Sequence, residues 1–108
     1  MARKITTDAC NAFMSAKPFS RDNIMVSIEV ERDEENKCCE VVTLRLHGSK
    51  IAKRAVGSNE ILVTNAGYFT NTTKERLNGI PGVSVNQRKG QWFLNGKEWD
   101  GSWTHVER

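Results

Sequence analysis

Two stretches of alternating residues constrain the fold of this chain more than any other feature. The first runs from Val26 to Val30 and the second from Val42 to Leu46, with an apolar residue at every second position. A period of two is the pattern of a half-buried β-strand, whose apolar side chains face a core. The acidic segment 29–36 begins at the end of the first apolar run and precedes the second. Together they predict an antiparallel hairpin with a charged, solvated loop, and with both apolar sets facing the core.

Helix signals stand on either side of this hairpin. The residues Thr6-Thr7-Asp8 read as an N-cap for an amphipathic helix over about 6–16, which Pro18 would stop. Further on, Thr72 and Glu75 have the spacing of a capping box, and Gly79 supplies a stop. These signals predict an N-terminal helix and a short second helix.

The remaining apolar runs predict further strands. Residues 51–52 and 61–63 suggest two strands that turn at 57–59. Near the C-terminus, Asn95-Gly96 is a strong signal for a type I′ hairpin, because both central positions of that turn need positive φ. A two-residue loop there places Trp92 opposite Trp99. The elements are segregated and lack regular βαβ alternation, so we predict an α+β fold with an antiparallel sheet and a C-terminal β-hairpin.

Length and composition limit the classes of protein to which the chain could belong. Its 108 residues suit one domain over 1–108. No apolar run approaches the roughly 18 residues needed to span a membrane, and no export signal is visible. The three cysteines form an odd set, which suits reduced thiols in a cytoplasm. The net charge of +3 is a weak field for a protein that binds nucleic acid by charge alone.

Groups that could support catalysis or metal binding are sparse. The two histidines, His47 and His105, stand beside a predicted turn and near the chain end, where ordinary surface residues are found. Cys10, Cys38 and Cys39 lack the C-x-x-C spacing of structural zinc sites. No glycine-rich phosphate-binding motif is present. We therefore expect no enzymatic activity, no metal and no cofactor.

The segment 65–73 is one candidate binding site. It is rich in Asn and Thr, carries Tyr68 beside Phe69, and ends at a predicted helix N-terminus, whose free amides can hold an anion. Ordinary capping and turn chemistry explains the same residues. The candidate residues here are Tyr68, Asn71, Thr72, Lys74 and Arg76.

The C-terminal hairpin is the second candidate. Its tryptophans and cations form the combination that binds single-stranded nucleic acid through stacking and phosphate contacts, and Trp and Arg are equally typical of protein interfaces. Tryptophans also close small cores or brace hairpins, and Trp103 is the one that we expect to be most exposed. The candidate residues here are Arg88, Lys89, Lys97 and Trp103.

Several segments are similar to a family of small proteins encoded by tailed bacteriophages. They are residues 65–79 and 87–96, the opening 1–6, and the strand-turn segment 44–48. The resemblance implies a phage origin and the infected bacterial cytoplasm as the compartment, and it transfers no catalytic residue. The segment 29–40, which includes Cys38-Cys39, looks longer than the corresponding segment in the usual family form.

These observations lead to one principal hypothesis and two alternatives. The principal hypothesis is a phage accessory protein that binds a host or phage macromolecule, a protein above all, for instance as an inhibitor of a host enzyme or defence system. The first alternative is a nucleic-acid-binding module that uses the terminal hairpin, and the second is a binder of small anions near Asn65–Thr73. The sequence leaves the oligomeric state open.

Overall fold

The computed structural model describes residues 4–32, 34–58 and 60–106, which form two helices and nine strands. The helices are α1 (Lys4–Ser15) and α2 (Asn71–Asn78). The strands are β1 (Phe19–Arg21), β2 (Ile24–Arg32), β3 (Cys38–Leu46), β4 (Ser49–Ala55), β5 (Ile61–Val63), β6 (Val85–Arg88), β7 (Gln91–Leu94), β8 (Lys97–Glu98) and β9 (Thr104–Val106). None of the helices within these ranges is both long enough and apolar enough to cross a membrane.

The strands form two antiparallel sheets. The larger sheet has the order β1-β2-β3-β4-β5-β9, and the smaller has the order β6-β7-β8. One face of the larger sheet packs on α1, and the core continues through α2 and the two tryptophans of the C-terminal hairpin, Trp92 and Trp99. The predicted α+β fold is therefore confirmed. Strands β1, β6 and β9 were not predicted, because each has only three or four residues and none has a run of apolar residues like that of β5.

Helix α1 begins earlier than its capping signal predicts. It is already helical at Lys4, so Thr6 and Asp8 lie inside the helix and do not cap it. Thr6 is fully buried and donates to the Glu75 carboxylate.

At the other end of α1, the buried Arg54 guanidinium donates to the main-chain oxygens of Phe13 (3.1 Å) and Met14 (2.6 Å). Orphan carbonyls at the helix end are thereby satisfied by a side chain from β4.

Helix α2 begins one residue after its true cap, Thr70. The Thr70 hydroxyl accepts the Thr73 amide at 3.2 Å, so the predicted capping box of Thr72 and Glu75 is wrong. Glu75 instead pairs with Arg76 and accepts from Thr6 of α1, because a contact between helices competes with the local one. The predicted stop at Gly79 is confirmed.

The β2–β3 hairpin has the predicted antiparallel register, with Val26 opposite Leu44. The prediction that every alternating apolar residue faces the core is wrong for Ile28 and Val30, which are exposed. Each strand of nine residues extends about 30 Å, whereas the twelve residues of α1 extend only about 18 Å. The outer half of the hairpin therefore projects beyond the helix that covers its inner half.

The C-terminal hairpin is as predicted. Asn95 and Gly96 have φ of 50° and 83°, and Phe93 lies opposite Glu98. The Trp99 amide donates to the Trp92 carbonyl at 2.9 Å, and the two ring centroids are 6.2 Å apart. Both tryptophans are buried, so they brace the hairpin against the core.

Candidate functional site

The candidate site is a surface of exposed aromatic and basic side chains, which we call the aromatic–basic surface. It comprises Tyr68, Phe69, the half-buried Lys74 and Lys89. Arg88, next to Lys89, lies on the opposite face of the smaller sheet, with Asn86 and Phe93. The aromatic residues lie in the loop between β5 and α2, Lys74 lies in the first turns of α2, and Arg88 and Lys89 lie at the β6–β7 turn. The fold thus joins the two segments that the sequence suggested separately.

Contacts to the Trp92 ring bring these segments together. The Phe69 ring meets it edge-on at 83°, with 5.4 Å between the centroids. The Lys74 ammonium lies 5.4 Å from the same ring's centroid and donates to Gln87 Oε1 at 2.8 Å. Gln87 is the cross-strand partner of Trp92 and precedes Arg88. One buried indole therefore fixes the position of an exposed aromatic residue and of a cation.

A tight turn directs Tyr68 and Phe69 outward. Ala66 and Gly67 both have positive φ, of 55° and 84°. The Tyr68 amide donates to the Asn65 carbonyl at 2.8 Å, and the buried Asn65 side chain accepts the Gly67 amide at 2.9 Å. The chain presents Tyr68 with 39% and Phe69 with 57% of its surface exposed.

The N-terminus of α2 carries the residues that were predicted to hold an anion. Asn71 is exposed and Thr72 is half-buried. The Thr70 hydroxyl already takes the Thr73 amide and also bonds the Thr73 hydroxyl at 3.0 Å. Anion binding at Asn71 and Thr72 stays a prediction, for which the geometry adds no further support.

Arg76, another candidate binding residue, has an internal role in the structure. Its side chain is 3% exposed, pairs with Glu75 and donates to Thr6 Oγ1 at 2.7 Å. Cys10 lies in the same cluster, and its thiol contacts the Arg76 carbonyl at 3.5 Å. Burial, with a smaller contribution from Glu75, raises the pKa of Cys10 to about 12. Arg76 therefore ties α2 to α1 and presents little of itself to a ligand.

Trp103 and Lys97, the remaining candidate residues, have other neighbours. Trp103 is 41% exposed, the most exposed tryptophan, as predicted. Its ring lies 4.9 Å from the Lys53 ammonium of β4, beside the charged face of the larger sheet. Lys97 lines an open cleft of about 680 Å³, together with His105 and Asp100. Hydrogen bonds from Ser102 lower the pKa of the exposed Asp100 carboxyl.

The described residues contain no group of three or more His, Cys, Asp or Glu side chains that could hold a metal ion. His47 and His105 are exposed. The cysteines are free thiols, with Cys38 exposed and Cys39 half-buried. The absence of enzymatic activity stays a prediction.

Phe69 is the site residue that sequence reasoning did not include among its candidates. The usable signal was its position directly after Tyr68, in a turn-rich stretch where two adjacent aromatic rings cannot both enter the core. The contact that makes Phe69 informative, with Trp92, joins residues that are 23 positions apart in the chain and has no local signature.

Comparison with known proteins adds one assignment. No curated protein and no solved structure matches the sequence. The model of one family, described as Kyanoviridae Gp96 protein, matches residues 2–107, nearly the whole chain. The predicted phage origin is thereby confirmed. The chain belongs to the Kyanoviridae Gp96 protein family of bacteriophage proteins.

Proposed function

We propose that this phage protein acts by binding a host or phage protein through the aromatic–basic surface, with no turnover of its own. Binding of this kind is stoichiometric, as the action of an inhibitor of a host enzyme or defence system would be. The proposed place of action is the cytoplasm of the infected bacterium.

The exposure of Phe69 and Tyr68 is the observation that carries the proposal. Large aromatic side chains are costly to leave in water, and burying one in a partner contributes about 2 kcal/mol or more at an interface hot spot. Because Phe69 is already held against Trp92, little rotamer freedom is lost when it binds. Preorganised, exposed aromatic residues are typical of contact surfaces.

The charges around these rings indicate what the partner would present. The Lys74 ammonium lies 5.4 Å from the centroid of the Trp92 ring that Phe69 contacts. Lys89 lies at the turn after the strand that carries Gln87, the hydrogen-bond acceptor of Lys74. A complementary partner would offer an apolar pocket with acidic residues at its rim, which would also speed association.

A protein partner is favoured over single-stranded nucleic acid by the position of the tryptophans. Trp92 and Trp99 are in the core, so neither offers a free face for stacking. The exposed Trp103 lies beside Lys53 of β4. At the aromatic–basic surface, stacking would have to be provided by Tyr68 and Phe69 alone.

The test is capture of partners by tagged protein from phage-infected cells, with nuclease treatment. Phe69→Ala should weaken capture about 30-fold, the equivalent of about 2 kcal/mol. The matched control is Trp103→Ala, which removes another exposed aromatic residue and should leave capture unchanged. A thermal melt of each variant checks that the fold is intact.

Two results would contradict the proposal. One is capture that survives the double change Tyr68→Ala and Phe69→Ala. The other is micromolar binding of oligonucleotides at physiological salt that Phe69→Ala removes, because the same surface would then serve nucleic acid.

A further inference from the structure

Strand β2 has an unpaired edge over its outer half. It spans nine residues, but β1 pairs only with Ile24–Val26. Among the described ranges, no strand lies on that side of residues 27–32. Followed toward the N-terminus, the chain turns away from this edge at Pro18, which has no amide hydrogen to donate to a strand, and continues into α1. The edge is therefore open where the hairpin projects beyond the helix.

The hydrogen-bond alternation of the hairpin shows which backbone groups face this edge. The His47 amide donates to the Asn23 carbonyl at 2.7 Å, so these two residues form a hydrogen-bonded pair. Hydrogen-bonded and non-hydrogen-bonded pairs alternate along an antiparallel ladder. Continuing the register, Glu29 and Glu31 bond to β3. The amides and carbonyls of Ile28 and Val30 then point to the open edge.

On one face of the sheet, the β2 side chains at this edge are the apolar Ile28 and Val30 and then Arg32, and Glu40 of β3 lies opposite Val30. Ile28 is 41% and Val30 is 66% exposed. Val56 is 45% exposed and lies two residues after the buried Arg54. Its amide donates to the carbonyl of Glu40, which is the cross-strand partner of Val30. Side chains alternate along a strand, so Ile28, Val30 and Val56 all lie on the face that α1 covers farther in.

The opposite face of the same edge is acidic. Glu29 and Glu31 lie on β2 itself, whereas the cations that pair with them lie one or two strands away, on β3 and β4. The hydrogen bond from Arg45 is the main cause that lowers the pKa of Glu29, which is therefore ionised at neutral pH. Residues 29–40 carry six acidic and two basic side chains. The segment that contains the edge therefore has a net charge of −4.

This charge pattern disfavours a second copy of the chain as the occupant. When two β2 edges pair in antiparallel orientation, with the same faces of both sheets on the same side, each register places one glutamate opposite another. The alternatives are Glu29 opposite Glu29, Glu29 opposite Glu31, and Glu31 opposite Glu31. Like charges directly opposite destabilise a pair of strands. The acidic residues thus act against self-association at an otherwise adhesive edge.

We propose that an extended segment of a partner protein, in which apolar residues alternate with Lys or Arg, adds to residues 27–32 as a further strand of the sheet. Its apolar side chains would pack on Ile28 and Val30, and its basic side chains would lie beside Glu29 and Glu31. Main-chain hydrogen bonds supply affinity in this binding mode, and alternate side chains supply specificity. This surface shares no residue with the aromatic–basic surface, so the two proposals stand or fall separately.

The probe is a fluorescent eight-residue synthetic peptide in which lysine alternates with valine. Fluorescence anisotropy should show binding that falls at least tenfold when glutamate replaces lysine. Hydrogen exchange should show new protection at the Ile28 and Val30 amides. Val30→Pro removes one edge-facing donor without touching the β2–β3 ladder, and it should abolish binding, whereas Val30→Thr keeps the donor and should bind.

A second measurement covers the case in which Val30→Pro does not fold. Two peptides are tested on the unmodified protein, one methylated at the odd-numbered backbone nitrogens and the other at the even-numbered ones. Only one of these two methylated phases should lose binding. Equal binding of the basic and acidic peptides, or of both methylated phases, would overturn the proposal. So would a dimer of the free protein in sedimentation that Val30→Pro dissociates, because a second copy would then occupy the edge.

Discussion

Replacing Gly79 by alanine tests how closely the two helices approach each other. Gly79 has φ of −75°, which any residue can adopt, so backbone conformation does not require glycine here. The requirement is space, because an added Cβ would lie 2.5 Å from Thr6 Cγ2 and 2.9 Å from Cys10 Sγ. Thr6 is fully buried and its hydroxyl is held by Arg76, so it cannot swing aside.

The magnitude follows from two opposing contributions. Overpacking a well-packed core costs about 1–3 kcal/mol. Alanine restricts the unfolded chain more than glycine does, which offsets about 0.4–1 kcal/mol of that cost. We expect Gly79→Ala to lower the free energy of unfolding by about 1–2 kcal/mol, which corresponds to about 4–8 °C in melting temperature for a chain of this size. Urea denaturation and a thermal melt measure both quantities.

A double-mutant cycle identifies the cause. Thr6→Ser removes the methyl group that the new Cβ would meet and keeps the hydroxyl that bonds Arg76. The double variant should be more stable than the sum of the single changes predicts, by about 1 kcal/mol, within the usual range for residues in contact. Strictly additive effects, or an unchanged melting temperature for Gly79→Ala, would refute the close approach.

Three further predictions concern the turn, the charged face and the thiols. Asn95→Val should destabilise the protein by about 1–3 kcal/mol in urea denaturation, because a β-branched residue resists the φ of 50°; an equal loss in Asn95→Gly would assign the effect to lost side-chain hydrogen bonds instead. The lowered pKa of Glu29 means that its contribution to stability is complete above the ordinary value of about 4.3 and is lost as the pH falls through the folded value. Stability measured against pH should therefore converge for wild type and Glu29→Gln in acid, and a constant difference would contradict this. At pH 8 a maleimide should label the exposed Cys38 and spare Cys10, whose pKa is about 12, until the protein is denatured, as mass spectrometry would show.

The candidate site was only partly predictable. Tyr68, Lys74 and Lys89 could be singled out from residue type and turn chemistry alone. Arg76 has the same residue type, but it is buried beside Glu75, because α1 packs on that face of α2. A sequence gives the position of a residue on its own helix, and it does not give the element that will cover that position.

Local patterns determined most of the longer strands and the C-terminal turn of this protein. The two-residue turn at Asn95-Gly96 fixes the register of its hairpin, which is why the pairing of Trp92 with Trp99 could be predicted from spacing. The tertiary structure alone decided that Ile28 and Val30 stay exposed, although they continue an alternating pattern. Alternation states which side chains share a face of a strand, but burial depends on how far the covering element reaches, and α1 is shorter than the hairpin beneath it.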